Sequence, residues 1–424
     1  MIDAVQQEND VAAIGPTVGI VGGGVVGLCC AVALLDRGHA VSVFERDADY
    51  NAASWGNAGH IAVEQVEPLA SPAALRSVRK RLFGVGGALA LPPSMAAHWL
   101  PFAARLVAAS TPSRFAAGTA ALTPLLAGAM PAWRALVETL GARGLLREDG
   151  HVVVWDTPLQ AQTGRERWSR TAIGTARIAD AEPALLDRLG FLADPVGGAI
   201  RFTGSGQIDD LRRLALTLEA AVEARGGRIV RQDVRLADDD GRIVIAGHKV
   251  DRVLVTAGVR SRAMLEPLGY RVPMIAERGY HIRARADGWP ADLPPVVFED
   301  RSMIVTRYAD CVQAASFVEL GDPDGPPDPR KWARLEHHVR ALGLPIEGPF
   351  TRWMGARPTL PDYLPAIGRS TRRANLYYAF GHQHLGLTLA PVTAQLVAAL
   401  MTGEQQPLLR PFDLNRFGKK GRHV

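Results

Sequence analysis

The chain has 424 residues, 47% of them hydrophobic and 21% charged, with a formal net charge of +5 from 48 basic and 43 acidic residues. That length calls for two structural regions sharing an interface, and the composition excludes long disordered or fibrous stretches. Charges of both signs are mixed along the chain, which gives nucleic-acid binding no support, although the modest positive balance suits carboxylate substrates or an anionic membrane surface as well as plain solubility.

Residues 1–16 hold no Lys or Arg and no apolar core, and they read as a short flexible leader rather than a secretory signal. A strand is expected at Val18–Val21, then a glycine-rich turn, a helix to about Arg37 ended by Gly38, and a strand at Ala40–Glu45. From Leu75 to Glu148 the Ala-, Leu- and Arg-rich texture predicts a helical insertion, with Pro101, Pro112, Pro124 and Pro131 at helix boundaries. Trp99, Phe102 and Leu106 near Arg105 form a stripe suited to core packing or, less commonly, to a membrane surface. Neither Val85–Ala104, broken by Pro92, Pro93 and His98, nor Leu385–Met401, broken by Pro391 and Gln395, reads as a membrane span.

Further on, a strand is expected at His151–Trp155, a helix near Ala179–Asp187, and an amphipathic helix over 209–225 with Leu211, Leu214, Leu218 and Val222 on one face. A strand at Arg228–Val230, a hairpin turning at Asp238–Gly241 and a buried strand at Val253–Val255 follow. Strands then fill Arg271–Arg285 and Ser302–Phe317, and helices are expected at about Arg330–Ala341 and Pro391–Met401. Cys29 and Cys30 share a helix and Cys311 is remote, so neither a disulfide framework nor a metal-binding spacing is available; no metal is expected.

The strongest chemical signal is Gly22-x-Gly24-x-x-Gly27 with Val25 and Val26 between the glycines, set between strand and helix. The first glycine permits the tight turn, the second lets a pyrophosphate approach the backbone, and the third lets helix and strand pack closely. Glu45, 23 residues after Gly22, can accept from ribose hydroxyls and disfavours a 2′-phosphate; Arg46 adjoins it. The helix N-terminus stabilises phosphate charge. By itself the motif does not separate FAD from NAD.

Four further segments carry a resemblance. Ala53–Ile61 reads ASWGNAGHI, Thr256–Ser261 reads TAGVRS, Trp353–Gly368 reads WMGARPTLPDYLPAIG, and Gly381–Thr388 reads GHQHLGLT. Together with the fingerprint they resemble the D-amino acid dehydrogenase family, within the wider glycine, sarcosine and D-amino acid oxidase flavoproteins, from Thr17 to about Pro411. The resemblance implies an α/β protein in which a Rossmann-like FAD-binding domain (17–75, 200–265 and 350–415) interleaves with a β-sheet plus helical substrate domain (76–199 and 266–349). It implies noncovalent FAD, with Asn57, Ala58, Gly59 and Ile61 along the flavin, Val234 at adenine, and Ala257 and Gly258 closing the nucleotide domain. Gly381, His382, Leu385, Gly386, Leu387 and Thr388 form its C-terminal flavin loop, whose backbone N–H groups near a helix start suit negative charge on the reduced ring.

For the substrate, the resemblance puts Arg357 on the α-carboxylate, which a guanidinium grips through two parallel hydrogen bonds. From the residues alone, a structural pair with Asp362 is the stronger reading. Tyr280 matches a position bordering the substrate, with a core tyrosine the competing reading, and His384 can meet flavin or a polar substrate group. His60 stands where related dehydrogenases carry glutamine. The expected activity is oxidation of a D-amino acid to its imino acid, with electrons passing to a quinone or another acceptor. GHQHLGLTLAP at Gly381–Pro391 resembles the D-hydroxyproline dehydrogenase branch. An oxygen-using glycine or sarcosine-type oxidase, and a flavin-bearing electron-transfer subunit, are the competing expectations. The expected setting is cytoplasmic or peripheral on the inner membrane face.

Overall fold

A computed structural model describes residues 15–418; the expected leader lies, through residue 14, outside the described residues. The first strand, Gly15–Val21, pairs in parallel with His39–Glu45 on one side and Arg252–Val255 on the other. Arg228–Arg231 and Leu376–Phe380 extend this parallel sheet, and Ala366–Arg369 closes it antiparallel. Central strands of such a sheet are covered on both faces and therefore read as apolar runs, as Val253, Leu254 and Val255 do at 0% exposure. The helix Val25–Leu35 is apolar on nearly every side because it lies against the sheet and against the helices Leu211–Ala224 and Gly386–Met401. Three separate stretches of chain thus build one nucleotide-type layer.

The second sheet runs Thr351–Thr359, Ile275–Arg285, Cys311–Gly321, Met303–Arg307, Val296–Phe298, His151–Trp155, Gly198–Thr203 and Arg177–Asp180, with Leu89–Ala90 beside Cys311–Gly321. The boundaries expected at residues 200 and 350 therefore cut through this sheet, and its last strand extends to Thr359 before the chain returns to the first layer. Backbone pairing decides this, and a strand's own residues do not record which sheet it joins. Arg177–Asp180 is a strand followed by the short helix Pro183–Asp187, where a single helix was expected.

Prolines were the least reliable punctuation. Pro112 starts a helix behind the Thr111 cap, as expected, but Pro101 and Pro124 lie inside Ala96–Ala109 and Pro112–Ala127, and Pro131 falls in the first turn of Ala129–Thr139. The last helix begins at Gly386, five residues ahead of Pro391. A proline within a helix leaves the carbonyl four residues earlier without its N–H. Here that carbonyl, Leu387 O, accepts the indole N–H of fully buried Trp133 at 3.1 Å. The insertion thus supplies the missing donor, and the helix can run unbroken toward the cavity.

Candidate active site

Where the two layers meet, one cavity of about 1740 Å³ runs from the glycine turn to the helical insertion. Ordinary small-molecule pockets hold roughly 300–1,000 Å³, so there is room for a dinucleotide and a substrate. At one end Gly22, with φ +109°, turns the chain, and an added Cβ would meet the Thr256 carbonyl at 2.6 Å. Thr256 Oγ1 donates to Gly22 O at 2.8 Å and holds the turn against the next strand. At Gly24 an added Cβ would meet only Ser54 Oγ, at 3.0 Å. The first helical N–H, of Val25, also donates to Ser54 Oγ, at 3.1 Å. Gly27 does not line the cavity; its lack of Cβ makes room for the Gly22 carbonyl.

Glu45 accepts from Gly23 N at 2.5 Å and from Asp47 N at 2.8 Å. A carboxylate has about four acceptor positions, so it retains capacity for ribose hydroxyls. Val25, Val26, Arg46, Val234, Ala257 and Gly258 line the same end. The donor set fits a dinucleotide: an open glycine face, a helix start and a carboxylate beside it.

Asn57 and Ala58 line the middle. Asn57 Oδ1 accepts from Gly59 N at 2.9 Å, while its carbonyl accepts from Tyr308 Oη at 2.6 Å and from Gln313 Nε2 at 3.0 Å. Gly59 and Ile61 do not reach the cavity; they pin the loop, through Gly59 O to Ile208 N and through pairing of Ile61 with Gly206. Opposite, Gly381, His382, Gly386 and Leu387 line the wall, whereas Leu385 and Thr388 are buried behind it. Thr388 Oγ1 accepts from Ala62 N at 3.0 Å and ties the two loops together. His382, pushed down to about 3 by burial, bonds Thr393 and is a structural imidazole.

The substrate end is organised by strand alternation. Successive residues of Ile275–Arg285 face opposite sides, and Glu277 lies directly across from Arg357 on the neighbouring strand. Arg357 Nη1 contacts Glu277 Oε1 at 3.4 Å and donates to Phe317 O at 3.2 Å. Its Nε and Nη2 have no hydrogen bond among the described residues. Glu277, 1% exposed, also accepts from Thr359 at 3.0 Å and Tyr363 at 3.2 Å. The alternative partner, Asp362, pairs with Arg416 at 2.7 Å instead. Arg357 is therefore held by a carboxylate that sequence reading missed, with donors left toward the cavity it lines.

Tyr280 requires a correction. Its ring borders the cavity, but its hydroxyl donates to Glu319 at 2.8 Å and accepts from Asp328 N at 3.1 Å. Glu319 is also paired with Arg278 at 3.1 Å and with Lys331, all within 2% exposure. The even-numbered face of the strand thus carries Tyr280 into a buried ion cluster and away from a substrate carboxylate.

His384 lines the cavity and bonds Gln65 through Nε2. With the Gln65 oxygen as acceptor, Nε2 carries the proton and Nδ1 is bare. Burial pushes this imidazole down to about 4. His60 Nε2 meets Glu64 Oε1 at 3.2 Å, and His151, pushed down to about 3 chiefly by burial, completes a group of three ligand atoms within 4.8 Å of one another. Burial is the largest single influence on Glu64 and pushes it up, but His60 and His151 together with hydrogen bonds outweigh it and hold the carboxyl at about 2. The sequence expectation of no metal took no account of this cluster, because His151 is 87 residues beyond Glu64 and only folding brings it in. His281 was missed too; it stacks on Trp353 at 4.8 Å and bonds Gly56 O at 3.1 Å, and all three residues line the cavity.

The family model described as FAD dependent oxidoreductase matches residues 17–400. The chain is 29% identical to a D-amino-acid oxidase of Bradyrhizobium diazoefficiens, covering 95% of this chain and 99% of that one. It is 27% identical to a D-amino acid dehydrogenase of Sinorhizobium medicae, over 90% and 95%. The fold matches glycine oxidase from Geobacillus kaustophilus with a TM-score of 0.70, at 21% identity, over 96% of this chain and 100% of that one.

Proposed function

This chain belongs to the family of FAD dependent oxidoreductases, and from that premise we propose that it oxidises a D-configured amino or imino acid, preferring D-proline or a hydroxy-D-proline to D-alanine. The observation that carries the reading is Arg357, anchored by buried Glu277 with unused donors toward the cavity. The glycine turn, Glu45 and the two flavin loops would hold FAD noncovalently, and the bound flavin would supply the hydride acceptor and the route for electrons to a quinone or another acceptor. The relatives named D-amino-acid oxidase and D-amino acid dehydrogenase support the D-configuration.

The chain's residues position the substrate. Arg357 grips the α-carboxylate through Nε and Nη2, and Glu277 holds the guanidinium in place. Neutral His384 offers Nδ1 as an acceptor for the amine or a ring hydroxyl without adding a second cation beside Arg357. The His60–Glu64 pair provides a second polar contact on the cavity wall. With Tyr280 committed to Glu319, these two groups carry hydroxyl recognition. A site built to bond a hydroxyl discriminates against substrates that lack it. Dye-linked assays of cis-4-hydroxy-D-proline, D-proline, D-alanine, sarcosine and the L-enantiomers test this. Preference for D-alanine, sarcosine or an L-amino acid refutes it.

A further inference from the structure

Acidic and basic residues mix along the chain as a whole, but not over residues 68–137. Those 70 residues contain no Asp or Glu and seven Lys or Arg. Within the stretch, the helix Pro72–Arg81 buries none of its residues, and Ala96–Ala109 buries only Phe102 and Ala109. The stripe expected from sequence turns inward: Phe102 packs with Ile275 and Leu320, and Trp99 and Leu106 join it. What faces solvent is a second apolar stripe, Leu100, Ala104 and Val107, at the spacing that puts residues on one helix face. Leu100 is 54% and Val107 55% exposed, and Val85, in the loop between the two helices, is 69% exposed.

Burying so few residues of an apolar helix leaves its outer face without a partner, and contiguous exposed apolar surface of this kind marks an interaction site. Its surroundings are cationic: Arg76, Arg79, Lys80 and Arg81 are exposed and form no ion pair among the described residues. Apolar surface bordered by unpaired cations is complementary to an anionic phospholipid bilayer, with side chains in the acyl boundary and cations at headgroup level. Leu69, Leu75, Val78, Val85, Leu106 and Val107 also line the cavity that reaches the glycine turn. The site therefore opens beneath this same face.

We infer that residues 69–107 form a docking surface for anionic lipid bilayers, seated around the mouth of the active-site cavity. This surface does not depend on which amino acid is oxidised. The test is co-sedimentation of the FAD-loaded full chain with vesicles of phosphatidylcholine plus phosphatidylglycerol and of phosphatidylcholine alone, alongside dye reduction by a D-amino acid in solution. The wild-type protein should sediment with the anionic vesicles, in a salt-sensitive way, and far less with the neutral ones. L100E/A104E, on the exposed stripe and outside the cavity lining, should lose most of that binding, and R76Q/R79Q should weaken it roughly fivefold per cation removed, both with dye reduction intact. The inference is overturned by absent vesicle binding, by binding that L100E/A104E leaves unchanged, or by self-association that the same substitution abolishes, which would make a second copy the occupant. Failure of dye reduction in the wild type would instead count against the proposed function.

Discussion

Replacing Arg357 with Leu perturbs two things at once, and they can be separated. The first is the grip on substrate. Two charge-assisted hydrogen bonds, from Nε and Nη2, are each worth roughly 1.5–3 kcal/mol, so their loss lowers kcat/KM by roughly two to four orders of magnitude. The second is Glu277, 1% exposed and left with only the hydroxyls of Thr359 and Tyr363. Breaking a buried pair costs roughly 3–5 kcal/mol. At 3.4 Å, with the arginine side chain 28% exposed, the contact is weaker than that, and about 1–3 kcal/mol of stability is at stake. The double variant R357L/E277Q removes the stranded charge. It should regain thermal stability, read from the release of flavin fluorescence on heating, yet remain as slow as R357L in steady-state assays. R357K should recover activity only in part, because an ammonium lacks the planar fork. The reasoning is refuted if R357L keeps kcat/KM within a few fold, or if the double variant regains activity together with stability.

Two glycines of the fingerprint should respond differently. G24V folds, since only the rotatable Ser54 hydroxyl is in the way, but it obstructs pyrophosphate approach and is purified colourless; G27V crowds the Gly22 carbonyl and should lower stability even without cofactor, as circular-dichroism melting would show. Acid should unfold the protein early. The imidazoles of His151, His281 and His382 are pushed down to about 3, and that of His384 to about 4, mainly by burial. Each therefore takes up a proton in the unfolded chain near pH 6.5 but not in the folded one. Stability is full above pH 6.5 and falls toward pH 4, at about 1.4 kcal/mol per pH unit for each histidine. Four such groups cost roughly 8 kcal/mol by pH 5, comparable with a whole domain's stability; urea midpoints that stay flat between pH 7 and 5 would contradict this. In the second layer, K331M leaves buried Glu319 with less compensation and should cost roughly 3–5 kcal/mol in urea unfolding. A loss below about 1 kcal/mol would show that Arg278 alone suffices.

How much of this was legible in the sequence depended on whether the physics was local. Gly22, Gly24 and Glu45 declare themselves because a turn, a close approach and a strand end are set by neighbours in the chain. Arg357 was legible through its segment, but its partner was not: Glu277 is 80 residues away and meets it only through register between two strands. The same register sends Tyr280 to the far face, an error no composition argument would catch. Ser54 and Thr256 lay inside segments already singled out, and a hydroxyl beside a glycine turn was the available signal. The cluster of His60, Glu64 and His151 had none beyond the helical spacing of its first two members. Pro391 misled because the donor that rescues Leu387 is an indole from another helix.

The central claim is that this chain carries its own flavin and its own substrate site. Anaerobic mixing of the purified yellow protein with D-proline or cis-4-hydroxy-D-proline tests it most directly. The account predicts that the flavin absorbance bleaches without any partner protein, that L-proline leaves it unchanged, and that acid precipitation then releases free FAD. A flavin that stays oxidised with every D-amino acid, or a native protein that holds NAD and no flavin, would contradict it.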